Sequence, residues 1–99
     1  MVNSSQILKF LRSNKERYRK EYHLIRVGIF GSIARGEETS TSDIDLIIEF
    51  EEGTPSIYEI KQKLKLEIQN QFAIPVDICR EKYIKPFFKK QIMLDTKYA

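Results

Sequence analysis

The sequence predicts an α/β (α+β) domain, a small mixed β-sheet covered by helices, and three patterns carry that prediction. Segments with apolar residues at helical spacing alternate with short runs rich in β-branched residues. Gly, Pro and polar turn residues bound those runs. The helical segments keep one apolar stripe each, as elements packed on a sheet must.

In chain order, Ser4 or Ser5 caps a first helix running to about Tyr22, with Ile7, Leu11, Tyr18 and Tyr22 at helical spacing and Lys, Arg and Glu on the other face. Leu24–Phe30 is a first strand that ends at Gly31. Residues 32–35 turn once as a short helix, and residues 37–42 are polar and turn-like. Residues 43–50 form the second strand. Its period of two sets Ile44, Leu46, Ile48 and Phe50 on one face and Asp43, Asp45, Ile47 and Glu49 on the other. Gly53-Thr54-Pro55 stops it, and Thr54 as cap with Pro55 at the first helical position opens the next helix. Ser56 and Glu59 offer an alternative capping box there. Ile57, Ile60, Leu64, Ile68 and Phe72 give that helix its stripe, to about Gln71. Residues 75–79 make a short third strand, and a last helix begins near Pro86 and carries Phe88, Ile92 and Met93 inward. The order is α-β-(short α)-β-α-β-α, which leaves the strand order open.

Ninety-nine residues make one domain over 1–99, large enough to fold alone with little surplus. No stretch approaches the roughly 20 apolar residues of a membrane span, and the N-terminus lacks the basic-then-apolar pattern of a secretory signal. One cysteine, Cys79, excludes an internal disulfide and a Cys-rich zinc site. A cytoplasmic location is expected. The net charge of +3 fits an acidic partner or a polyanionic small substrate and is too small to argue for nucleic acid. Lys61, Lys63 and Lys65, and later Lys82, Lys85, Lys89 and Lys90, form two loose basic groups, which are solvated helix faces or a binding surface.

Chemistry concentrates between Gly31 and Asp45. A Gly31-Ser32 turn offers backbone N–H groups to a phosphate, and the helix after it would point its N-terminus at whatever the turn holds. Ten residues on, Asp43 and Asp45 share one side of a strand, roughly 6–7 Å apart along it at about 3.3 Å per residue. Side chains leaning together bridge that gap around a cation. The apolar run Leu46-Ile47-Ile48 anchors them to a buried strand, where unpaired carboxylates are costly without one. Mg²⁺ takes oxygen ligands and keeps waters and substrate phosphate oxygens, so two or three carboxylates suffice. Asp77, between apolar residues of a separate strand, is the third, placed to hold metal at the nucleophile or to take its proton. Arg35 either faces phosphate, pairs with an aspartate, or forms a surface ion pair with Glu37 or Glu38; Gly36 serves the backbone turn. Cys79 shares the face of Asp77 as a buried small hydrophobe. One histidine, His23, cannot supply a His-based triad, and the absence of GxxxxGK[ST] excludes a P-loop NTPase.

At these residues the chain resembles the nucleotidyltransferase superfamily that includes DNA polymerase beta, whose hallmark is Gly-Ser, a spacer, Asp-x-Asp and a later Asp. It is most similar to the minimal nucleotidyltransferases, through Gly31-Ser32-Ile33-Ala34-Arg35-Gly36-Glu37 and Ser42-Asp43-Ile44-Asp45-Leu46. The resemblance implies an Mg²⁺-dependent enzyme, with two ions, that transfers AMP from ATP to a tyrosine of a HEPN-domain ribonuclease toxin and so neutralises it. It implies Asp43, Asp45 and Asp77 as catalytic metal ligands and Gly31, Ser32 and Arg35 as triphosphate contacts. Pyrophosphate would leave from the α-phosphorus. Two alternatives stand beside it: neutralisation by contact alone, and nucleotidyl transfer to a nucleic acid or small molecule. A chain ending about 20 residues after Asp77 leaves little room to grip a nucleic-acid acceptor, and no membrane partner is expected.

Overall fold

Residues 2–99 are described by the structure, a computed structural model. The β-branched runs become strands β1 (Leu24–Phe30), β2 (Ile44–Phe50) and β3 (Val76–Arg80), joined at the edge by the two-residue β4 (Lys97–Tyr98). Helices α1 (Ser4–Tyr22), α2 (Gly31–Ala34), α3 (Ile57–Phe72) and α4 (Pro86–Asp95) complete the order, with a 3₁₀ turn over Glu81–Tyr83. The strands lie in the order β3-β2-β1-β4. The pairs β1–β2 and β1–β4 are antiparallel. The pair β2–β3 is parallel, so α3 serves as its crossover.

The predicted alternation of β2 decides the packing. Ile44, Leu46, Ile48 and Phe50 join Val27, Ile29 and Val76 under Ile7, Leu11 and Tyr18 of α1 and Leu64 and Ile68 of α3 in one buried cluster. Tyr18 is wholly buried. Its hydroxyl donates to Glu67, which also takes Arg17 at 2.7 Å, so a polar pin ties α1 to α3. Burial first, and then the Glu67 carboxylate, push the Tyr18 phenol far above its ordinary range.

Several expectations need correction. The cap of α1 is Asn3, neither Ser4 nor Ser5. Its side chain accepts from the Gln6 N–H at 3.0 Å while Gln6 Oε1 accepts from the Asn3 N–H at 2.9 Å, a reciprocal box that a serine one residue on cannot close. At α3, Thr54 is spent on the preceding turn, donating from its hydroxyl to the Glu51 carbonyl at 2.6 Å. The helix starts at Ile57 after Ser56, which sits in the left-handed region and makes no side-chain cap, so the Ser56–Glu59 box is absent as well. The largest difference is α4. No residue of it is buried, and Phe88, expected inside, is 53% exposed, while Ile92 and Met93 are partly covered.

The second face of the sheet is also covered in part. Ile47 is fully buried and Glu49 nearly so. Ile47 is paired with Gly28 of β1 and Cys79 of β3. A Cβ on Gly28 would come within 2.7 Å of the Lys97 carbonyl oxygen and 3.1 Å of the Tyr98 ring, so glycine lets β4 close over this position. Met93 of α4 reaches the Tyr98 hydroxyl at 3.9 Å. Two residues of strand carry no periodicity, which is why β4 was not foreseen.

Candidate active site

Parallel pairing of β2 and β3 sets Asp45 directly beside Asp77, and antiparallel pairing sets Phe30 on its other side. Asp43 lies one residue before β2 and, like Asp77, is exposed, whereas Asp45 is partly buried. The next residue after Phe30 is Gly31, with φ +79°. A Cβ there would stand 2.2 Å from Asp45 Oδ2. Glycine therefore meets two needs at once: a left-handed turn and the closest approach of a carboxylate to the backbone.

Asp45 is electrostatically unsatisfied. Burial first, then the charges of Asp77 and Asp43, push its carboxyl above the usual range, with Arg35 as the opposing influence. Three carboxylates whose fields converge on one spot are what a cation relieves. Among the described residues no three acidic, Cys or His side chains are close enough to hold an ion by themselves. Mg²⁺ is commonly bound by one or two carboxylates with waters and substrate phosphates, so this donor set fits an ion completed by a nucleotide.

The surrounding loop is pinned. Ser32 Oγ donates to Ser42 Oγ at 3.2 Å, and Ser42 Oγ accepts from the Thr39 N–H at 2.8 Å. Glu37 N–H closes on the Ser32 carbonyl at 2.8 Å, and Ile44 N–H on the Pro75 carbonyl at 2.9 Å. Ser42, the residue before Asp43, thus ties the start of the Asp-x-Asp to the Gly31-Ser32 turn, a role with no local pattern to reveal it. Gly36, at φ +75°, serves the turn as expected. Of the alternatives for Arg35, the ion pairs are realised. Its guanidinium lies 3.1 Å from Glu37 and 3.1 Å from Asp95, and Asp95, at the end of α4, was missed. Cys79 shares the face of Asp77, two residues further along β3. Burial pushes its thiol up, against the opposing charge of Lys61, as suits a packing residue.

A cavity of about 830 Å³ lies elsewhere, between α1 and the start of β1, with Arg12, Arg19 and Ile25 in its wall. It touches neither the three aspartates nor the Gly31-Ser32 turn. The carboxylate site lies at the end of the sheet where β1 finishes and β2 begins, with Asp43 and Asp77 exposed there.

An Asp-x-Asp at the entry to a strand, beside a third Asp and abutted by a Gly-Ser turn, is the pattern of a nucleotidyltransferase. The chain belongs to the nucleotidyltransferase domain family, whose sequence profile matches residues 5–99, and it is a transferase of that class. Its relatives narrow the kind to the minimal nucleotidyltransferases. The putative protein adenylyltransferase MJ1379 of Methanocaldococcus jannaschii is 35% identical over the whole of both chains. Protein adenylyltransferase MntA of Thermococcus cleftensis is 26% identical, covering 100% of this chain and 98% of that one. Among solved structures, a putative minimal nucleotidyltransferase superposes with a TM-score of 0.70 at 32% identity, over 91% of this chain and 93% of the other. A toxin–antitoxin structure with AMP-PNP superposes with a TM-score of 0.67 at 22% identity, over 98% and 72%, and shares the fold.

Proposed function

We propose that this chain is an antitoxin that transfers AMP from ATP to a tyrosine hydroxyl of a cognate HEPN-domain ribonuclease toxin. One observation carries the chemistry: Asp45 is set beside Asp77 by register and against Gly31 by contact, with three carboxylate charges converging that the opposing charge of Arg35 does not outweigh. The names of the relatives and of the AMP-PNP-containing neighbour support ATP and a toxin partner.

Asp43 and Asp45, with Asp77, would hold Mg²⁺, which supplies charge neutralisation at the triphosphate when bound. Gly31 and Ser32 receive the triphosphate through backbone N–H groups and the Ser32 hydroxyl. Arg35 contributes its charge from where Glu37 and Asp95 hold it. Asp77 takes the proton of the tyrosine hydroxyl as the oxygen attacks the α-phosphorus. A tyrosyl–AMP bond forms, the bond to pyrophosphate breaks, and pyrophosphate leaves. The open site fits a protein acceptor that completes the enclosure, and positioning then supplies much of the rate.

The test mixes this chain with the product of the neighbouring gene, Mg²⁺ and ATP, and reads the partner's intact mass. Whole AMP increments that are absent with Asp43→Asn support the proposal. A stable complex of unchanged mass supports neutralisation by contact instead.

A further inference from the structure

Helix α4 is apolar on the outside. Phe87 is 88% exposed, Leu94 72% and Tyr83, in the 3₁₀ turn before it, 67%. Phe87 and Leu94 are seven residues apart and so share one face of the helix, with the Phe88 ring edge-on to Phe87 at 5.1 Å. Ten residues of helix do not hold alone in water, and an apolar patch with a charged rim marks an interaction surface.

The rim identifies the kind of partner. Lys82, Lys85, Lys89 and Lys90 are all exposed in the same segment, with Lys82 Nζ 5.8 Å from the centre of the Tyr83 ring. The two acids within residues 81–95 are already engaged, Glu81 by Arg26 at 2.7 Å and Asp95 by Arg35 at 3.1 Å. A second copy of this chain laid face to face would bring two such lysine sets together, so self-association through the patch is repelled. The complementary surface has an apolar centre ringed by Asp and Glu. The helix also ends at the site, because Asp95 holds Arg35, whose charge is felt at Asp45.

We infer that α4 and the 3₁₀ turn are the docking surface for the acceptor protein, whose matching face is apolar with an acidic rim. This rests on a protein acceptor as proposed above. A partner seated on α4 stands beside Arg35 and the carboxylates, which turns docking into delivery of the hydroxyl. Anionic lipid would satisfy the same lysines and phenylalanines but offers no acceptor at the carboxylates.

The experiment measures, without ATP, the affinity of the neighbouring gene's product for the native chain, for Phe87→Ser/Leu94→Ser and for Lys85→Glu/Lys89→Glu/Lys90→Glu. Circular dichroism verifies folding, which exposed positions leave unchanged. The apolar pair of changes should weaken binding by about 30-fold or more, as loss of central anchors does. The charge reversal should weaken it by at least about tenfold and flatten its salt dependence. Equal affinities across the three chains overturn the inference, as does absence of binding by the native chain. So does co-sedimentation of the native chain, but not the Phe87→Ser/Leu94→Ser chain, with phosphatidylserine-containing vesicles when the protein partner is not bound. Partner mass after adding Mg²⁺ and ATP is read separately: tight docking without AMP transfer leaves the docking surface standing and removes the enzymatic proposal.

Discussion

Asp45 and Glu49 sit four residues apart on one face of β2, and the protein treats them in opposite ways. Glu49 is surrounded by donors: Phe50 N–H at 2.9 Å, Lys82 N–H at 2.8 Å, and Arg80 through Nε at 3.2 Å and Nη2 at 2.9 Å. Burial alone would raise its carboxyl, but these donors outweigh it and hold the group below its ordinary range. Asp45 faces two more carboxylates and is pushed up. A buried carboxylate that serves the fold is given its partners by the fold. One that is left with like charges is, on the function proposed above, the place where a cation binds.

The largest expected effect breaks the Asp45 half of the pair. Asp45→Asn should lower transfer by about three orders of magnitude, the several kcal/mol that metal-held charge stabilisation is worth. The same change should raise the thermal midpoint of the ligand-free chain, because it removes repulsion. Parallel rate and melting measurements read both. Glu49→Ala should do the reverse. Leaving Arg80 without its carboxylate at a site where both side chains are nearly buried should cost about 3–5 kcal/mol in denaturant unfolding. Transfer per folded molecule should survive.

Gly31→Ala sharpens the comparison at the boundary of the site. An alanine at φ +79° costs about 1–2 kcal/mol, and its methyl must displace the Asp45 carboxylate. Stability should fall modestly and activity severely, a split visible when unfolding and turnover are compared. Smallest is the pH response. Glu49, with a depressed carboxyl, contributes stability that is fully present above the unfolded value of about 4.3 and lost as pH falls through its folded value. Asp45, with a raised one, weighs against the fold once pH climbs from about 3.9 through its folded value, and that penalty disappears in acid. Acid unfolding of Asp45→Asn should therefore lose the second component, and that of Glu49→Ala the first.

Much of this was legible beforehand. Alternation in β2, the apolar stripe of α3 and the Gly-Ser/Asp-x-Asp spacing are local patterns, and they place α1, β1, β2 and α3 to within a few residues. What local pattern could not supply was register and tertiary partnership. Asp45 meets Asp77 because β2 and β3 run parallel, and Arg35 meets Asp95 across sixty residues. Alternation placed Glu49 on the face of Asp45 but could not name its partners, because Arg80 and Lys82 come from another strand and turn. Phe88 looked like core because periodicity reports that a helix has an apolar face, and not whether this chain covers it.

The comparison is tested most directly by calorimetric titration of a non-hydrolysable ATP analogue with Mg²⁺ into three chains: native, Asp45→Asn and Glu49→Gln. The account predicts binding by the native chain that depends on Mg²⁺, its loss in Asp45→Asn, and its retention in folded Glu49→Gln. Equal Mg²⁺-dependent binding by the native and Asp45→Asn chains would contradict it.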